Sequence, residues 1–204
     1  MRYYIENENN ENCIVCGYVV EREYIQGNIS SDGLPIYALE DIDKLDSNYV
    51  FILGLGYTKM NTVRERIFAF IIGKGFEVIG YTHPTAVISP SVKIGMGNIF
   101  FEHVVVQPNC IIGDANIFQA QSSLMHDCIV GNNNFIAAHS VINGRVSIGN
   151  NCFLGSGSVI KNRIKINSFS LIGAAAYVSR DTDRNSVTVP QRSIVLDKTS
   201  LDML

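Results

Sequence analysis

The sequence predicts a mainly β protein, in which a parallel β-helix of about five coils follows a small α/β domain. Three observations predict it. Stepping by six from Ile88, every residue met is large and apolar, through Ile94, Phe100, Val106, Ile112 and Phe118 to Ile172 and Val178. Glycine often follows directly (95, 113, 131, 149, 155 and 173), and a small or slim residue comes four places later, as at Cys110, Ser122, Cys128 and Ser140. Neither the helical period near 3.6 nor strand alternation produces this pattern, whereas short strands with a corner every six residues do. The large aliphatic points inward, the glycine is expected to relieve the backbone at the corner, and the small residue fits the tight interior.

Upstream of the repeat the pattern changes. "NCIVCGYVV" reads as a strand and "LEDIDKL" as a short helix. Tyr49–Leu53 reads as a strand, a Gly-x-Gly turn follows at Gly54 and Gly56, and Phe76–Tyr81 reads as another strand. Between them lies a helix, with Thr62 and Glu65 spaced as a capping box, Ile67, Phe70 and Ile71 on one face, and Gly73 and Gly75 at its end. Residues 1–83 are therefore expected to form the α/β domain, joined near His83–Pro84 to a solenoid over 84–180. The hexad lapses from Ser179, and 181–204 is expected to be a tail that wraps the last coil or lies loose.

Composition narrows the function. The 204 residues are 47% hydrophobic and 17% charged, enough to bury a sizeable core, and carry a net charge of −3. Without a Lys/Arg cluster along the chain, nucleic acid and anionic membrane surfaces are not expected partners, and any anionic ligand must be held by a few placed donors. "MRYYIENENNEN" lacks the basic-then-apolar layout of a signal peptide, and no apolar run approaches the roughly 18 residues of a membrane span. Five cysteines then read as reduced thiols in the cytoplasm. Cys13 and Cys16 form a C-x-x-C with no second pair and no nearby histidine, which reads as small packing residues rather than a zinc or redox site.

Three hexads make a coil of eighteen residues, so residues eighteen apart stack. His126 lies above Pro108 and below Gly144, two places past the inward Leu124, and so points outward from a corner. An outward imidazole is a candidate general base; Asp127 beside it can fix its tautomer, and Gly144 leaves room for a ligand. Cys110 and Cys128 stack at the small-residue phase and read as packing.

The segment "MHDCIVGNNNFIAAHSVINGRVSIGNNCFLGSGSVI" resembles the hexapeptide-repeat acyltransferases that modify nucleotide-linked amino sugars, with sialic acid O-acetyltransferases among their relatives. The resemblance implies a left-handed β-helix, a homotrimer with active sites between subunits, and acetyl-CoA or another short-chain acyl-CoA as co-substrate, with no metal. Within it, His126, Asp127, Cys128, Val130 and Gly131 match an H-[DE]-C-x-[IV]-G stretch, which implies His126 as catalytic residue with Asp127 beside it. It further implies that Ser147–Ser158 borders the acyl-CoA, with backbone groups at Gly144, Ser156 and Ala174 on the pantetheine arm and His139 as a polar wall. The expected function is N-acyl transfer to a dTDP- or UDP-linked amino-deoxysugar for surface polysaccharide or glycan synthesis; the alternatives are O-acetylation of a sugar and a scaffold without chemistry.

Two departures mark this chain. The commonest members begin with a Gly-rich nucleotide loop and a helix, which are lacking here. The turn and helix start at Gly54, Gly56, Lys59, Asn61 and Arg64 are the remaining candidates for the nucleotide phosphates, through helix N-terminal amides. Phe135 stands where the family often has histidine, and His139 comes four residues later. His103, Gln121 and His139 share one ladder, a spacing similar to that of the γ-class carbonic anhydrases, but the position of their third histidine is Gly144, and two histidines make a poor zinc site.

Overall fold

A computed structural model of the chain describes residues 1–7, 13–191, 193, 197 and 201. Two-residue strands recur through the solenoid, and each pairs in parallel with the strand eighteen residues away, as Ile111 with Ile129 and Ser123 with Val141. Among the described residues these strands form three sheets of five, six and seven strands, the faces of a triangular prism. The five-stranded face runs from Lys93–Ile94 to Lys165–Ile166, and the six-stranded face from Val87–Ile88 to Tyr177–Val178. The seven-stranded face runs from Tyr81–Thr82 to Val187–Thr188. The ladder thus begins at Tyr81, paired with Ile99, and the first part of the tail adds its last rung, pairing Val187 with Leu171. The tail beyond 191 lies almost wholly outside the described residues.

The second residue of each strand points inward. Phe118, Leu124, Ile136, Ile142, Leu154, Ile160 and Ile172 are all fully buried in one continuous core, with Cys110, Cys128 and Cys152 filling the slim positions. A buried aliphatic side chain contributes about 1.5–3 kcal/mol, so the hexad is the main source of the prism's cohesion.

The glycines have a different cause from the one expected. Gly95, Gly113, Gly131 and Gly149 do not have positive φ. Each instead lies under a side-chain oxygen of the next coil. Asp114, Asn132, Asn150 and Ser168 accept hydrogen bonds from the amides of Met96, Asp114, Asn132 and Asn150, forming an outer rail. A Cβ on these glycines would strike that rail. Inside the same corner Asn98, Asn116 and Asn134 form a second ladder, side chain to side chain, at 3.0 Å. The left-handed residues fall two places after these glycines and at the equivalent corner positions, including Asn109, Asp127, Arg145 and Arg163.

The α/β region lies against this rail corner and the seven-stranded face. It holds two small parallel sheets, Tyr18–Val20 with Ile36–Ala38 and Val50–Phe51 with Glu77–Val78, and a helix over Thr62–Gly73. "LEDIDKL" is a 3-10 helix over Leu39–Lys44. The capping box does not form. Asn61 is the N-cap, Thr62 Oγ1 donates to the Lys59 carbonyl, and Glu65 accepts from Asn151 of the solenoid. Tyr81, Ile99, Ile117 and Phe135, outward on the seven-stranded face, are buried beneath Met1, Tyr4 and Ile52.

Candidate active site

His126 and Asp127 lie in the corner between the six- and five-stranded faces. The corner places Asp127 in the left-handed region, φ 59°, a conformation that Asp and Asn adopt more readily than most residues. This turns its carboxylate back onto the preceding imidazole: Asp127 Oδ2 is 2.8 Å from His126 Nδ1. The hydrogen bond from His126, helped by one from Asn109 Nδ2 at 3.2 Å, holds the Asp127 carboxyl below the usual carboxylate range. With Asp127 ionised, Nδ1 carries a proton toward it, and in that tautomer of the neutral imidazole the lone pair is on Nε2.

Nε2 is aimed over Gly144 on the next coil. A Cβ at 144 would lie 2.7 Å from Nε2 and 2.8 Å from Cε1, so glycine is required for the imidazole to hold this position. The corner is tied from below and above. The His126 amide donates to Gln107 Oε1, and the Arg145 amide donates to the His126 carbonyl at 2.9 Å. Half of the imidazole is exposed, at 52%, so reactants can reach it.

The imidazole borders a cavity of about 670 Å3, lined also by Met125, Asn143, Gly144, Arg145, Lys161, Arg163 and Tyr177. The expected lack of a cationic cluster therefore needs correction. Arg145 and Arg163 are eighteen apart, as are Asn143 and Lys161, so stacking gathers charges that are dispersed along the chain. Reading the ladder of Asp127 upward, through 145 and 163, would have found them.

The other predicted residues fall elsewhere. Ser156, Ala174 and His139 are exposed on the corner between the seven- and six-stranded faces, so within one chain a whole face separates them from His126. Gly54, Gly56 and Lys59 are exposed at the start of the long helix. Asn61 and Arg64 are not free for a ligand. Arg64 is 1% exposed and donates to five carbonyls, those of Leu55, Gly56, Ala115, Asn133 and Asn134. Burial pulls its guanidinium down to about 10, which leaves it charged at neutral pH. Asn61 is also buried and donates to the Cys152 carbonyl at 3.0 Å. Both residues tie the α/β region to the solenoid, and their expected phosphate role gives way to that one.

Residues 109–144 match the family model of the bacterial transferase hexapeptide, described as six repeats. This is a hexapeptide-repeat solenoid. Its fold class is the left-handed parallel β-helix. No curated protein sequence matches the chain. Solved structures do. The acetyltransferase domain of PglB from Neisseria gonorrhoeae, in complex with acetyl coenzyme A, is 23% identical with a TM-score of 0.75, over 81% of this chain and 80% of that one. PerB from Caulobacter crescentus, in complex with CoA and GDP-perosamine, is 25% identical with a TM-score of 0.72, over 79% and 80%. WeeI from Acinetobacter baumannii is 19% identical with a TM-score of 0.76, over 85% and 82%. The hexapeptide-repeat solenoid and much of the α/β region therefore share their fold with these proteins.

Proposed function

We propose that this chain is an acyl-CoA-dependent N-acyltransferase acting on the amino group of a nucleotide-linked amino-deoxysugar, in the synthesis of a surface polysaccharide or glycan. The observation that carries the reading is the His126–Asp127 pair, with Nε2 free and aimed into the cavity over Gly144. The likeness to PerB, bound to CoA and GDP-perosamine, supports the substrate class and adds GDP to dTDP and UDP as the nucleotide to test.

In this reading the sugar amine attacks the thioester carbonyl, His126 Nε2 accepts the amine proton, and Asp127 holds the imidazole through Nδ1. The C–N bond forms, the C–S bond breaks, and the proton passes to the departing thiolate. Base catalysis of this kind contributes roughly 10²–10⁴-fold. Backbone amides near the thioester would stabilise the oxyanion.

The active form is proposed to be a homotrimer. Ser156, Ala174 and His139 would line the pantetheine arm from one subunit, while His126 and Gly144 face it from the next. Gly54, Gly56 and Lys59 remain as the part of the α/β region open to the nucleotide. Among the described residues no helix is long and apolar enough to cross a membrane. Five free cysteines fit a reducing cytoplasm.

Two measurements separate the alternatives. A saturable thermal shift with acetyl-CoA is expected, and its absence would favour a scaffold. Paired substrates that differ only in amine or hydroxyl at the reacting carbon distinguish N- from O-acylation: the amine is expected to be acylated, and preference for the hydroxyl would move the assignment to a sugar O-acetyltransferase.

A further inference from the structure

We infer that Arg145, Lys161 and Arg163 form a diphosphate-binding subsite of the His126 cavity. The inference rests on the acyltransferase reading and deepens it. These three cations line one cavity, and none of its lining residues is acidic. In a chain of net charge −3 that local excess runs against the overall balance. A cavity lined by one sign of charge concentrates ligands of the other.

The cations are also available. Arg145 Nε lies 3.7 Å from Asp127 Oδ2, too far for a hydrogen bond, so it leans on the catalytic pair without being consumed by it. Among the described residues Lys161 and Arg163 have no carboxylate partner, and both are exposed. Their backbones are fixed by the coil. The Arg145 and Arg163 amides donate to the His126 and Gly144 carbonyls, at 2.9 and 3.1 Å. The guanidiniums therefore project from successive rungs of one column, with Lys161 beside the upper one. Guanidiniums bind phosphate oxygens in pairs, and an ammonium adds a point charge, so the column offers a spaced set of donors to two linked phosphates.

Rung spacing sets the reach. At about 4.8 Å per rung, Arg163 sits roughly 10 Å along the axis from His126. Of the phosphate candidates in the α/β region, Arg64 and Asn61 are spent on the solenoid, which leaves Lys59 as the one cation among them that is exposed. Both proposed substrates bring a diphosphate, acyl-CoA at the end of its pantetheine arm and the nucleotide sugar across one sugar ring, and the test separates them.

The test is isothermal titration of the full chain and of a Lys161→Gln/Arg163→Gln double variant, whose exposed side chains leave the core intact. Each is titrated with CoA, with phosphate-free acetyl-pantetheine and with GDP-, UDP- and dTDP-linked sugars. The wild type is expected to bind CoA more tightly than acetyl-pantetheine if the acyl donor supplies the diphosphate. The variant is then expected to lose about 10-fold or more for CoA alone, and the reciprocal pattern assigns the subsite to the nucleotide sugar. A variant that binds CoA and nucleotide sugars as tightly as the wild type overturns the subsite and leaves the acyltransferase reading standing. A variant weakened in binding, in a protein that acylates no sugar, upholds the subsite and overturns that reading. A wild type that binds none of these ligands overturns both.

Discussion

At the residue scale the site depends on a short chain of contacts, from Asn109 to Asp127 to His126 and over Gly144. Gly144 is the sensitive member. Gly144→Ala puts a Cβ within 2.7 Å of Nε2, and the half-exposed imidazole must swing aside. The predicted result is a fall in kcat of about 10-fold or more with a nearly unchanged melting temperature, because displacement of a surface side chain costs little stability. Asp127 gives a pH signature. Its folded carboxyl titrates below the ordinary value near 3.9, so its contribution to stability is present above that pH and fades as pH falls through the lowered value. Asp127→Asn is therefore expected to melt lower than wild type at pH 7, and the two melting curves should converge in strong acid. A gap that persists in acid would show that the carboxylate charge is not what matters there.

At the element scale, the repeat was legible because each inward residue answers to one buried face at a fixed spacing. The His126 corner was legible for the same reason, since two places past an inward leucine must point out. What the repeat did not disclose is what neighbouring coils do to one another. The glycines at 95, 113, 131 and 149 looked like backbone hinges, yet their cause is the Asx rail of the next coil. Arg145 and Arg163 looked dispersed, yet they stack. Arg64 looked like a phosphate ligand at a helix start, since nothing local signals that three solenoid carbonyls will join those of Leu55 and Gly56 around it. With Asn61 and Glu65 it ties the helix to the solenoid. Arg64→Met removes the shared donor from those carbonyls and should cost about 3–5 kcal/mol. Limited proteolysis is expected to cut first within the N-terminal 80 residues while the solenoid resists; uniform cleavage along the chain would count against this role.

On the scale of the whole molecule, the prism leaves apolar side chains outside. Ile111 and Ile129 on the five-stranded face are 48% and 52% exposed, and Tyr177 on the six-stranded face is 63% exposed. His126 and Ser156 lie on different corners, so one chain presents two incomplete halves of the proposed site. Light scattering is expected to report a trimer, and Ile129→Glu is expected to dissociate it and abolish acyl transfer together. A fully active monomer would contradict the assignment of Ser156, Ala174 and His139 to the same site as His126.

The central claim is acyl transfer from a thioester to a sugar amine at His126. The most direct measurement is release of free thiol from acetyl-CoA, with and without nucleotide-linked amino-deoxysugars, for wild type and His126→Ala. The account predicts sugar-dependent release by the wild type, slowed in the variant by about 10²-fold or more where the amine arrives protonated. Failure of thiol release with acetyl-CoA and 3-hydroxybutyryl-CoA, across 3-amino and 4-amino sugars on all three nucleotides, would contradict it.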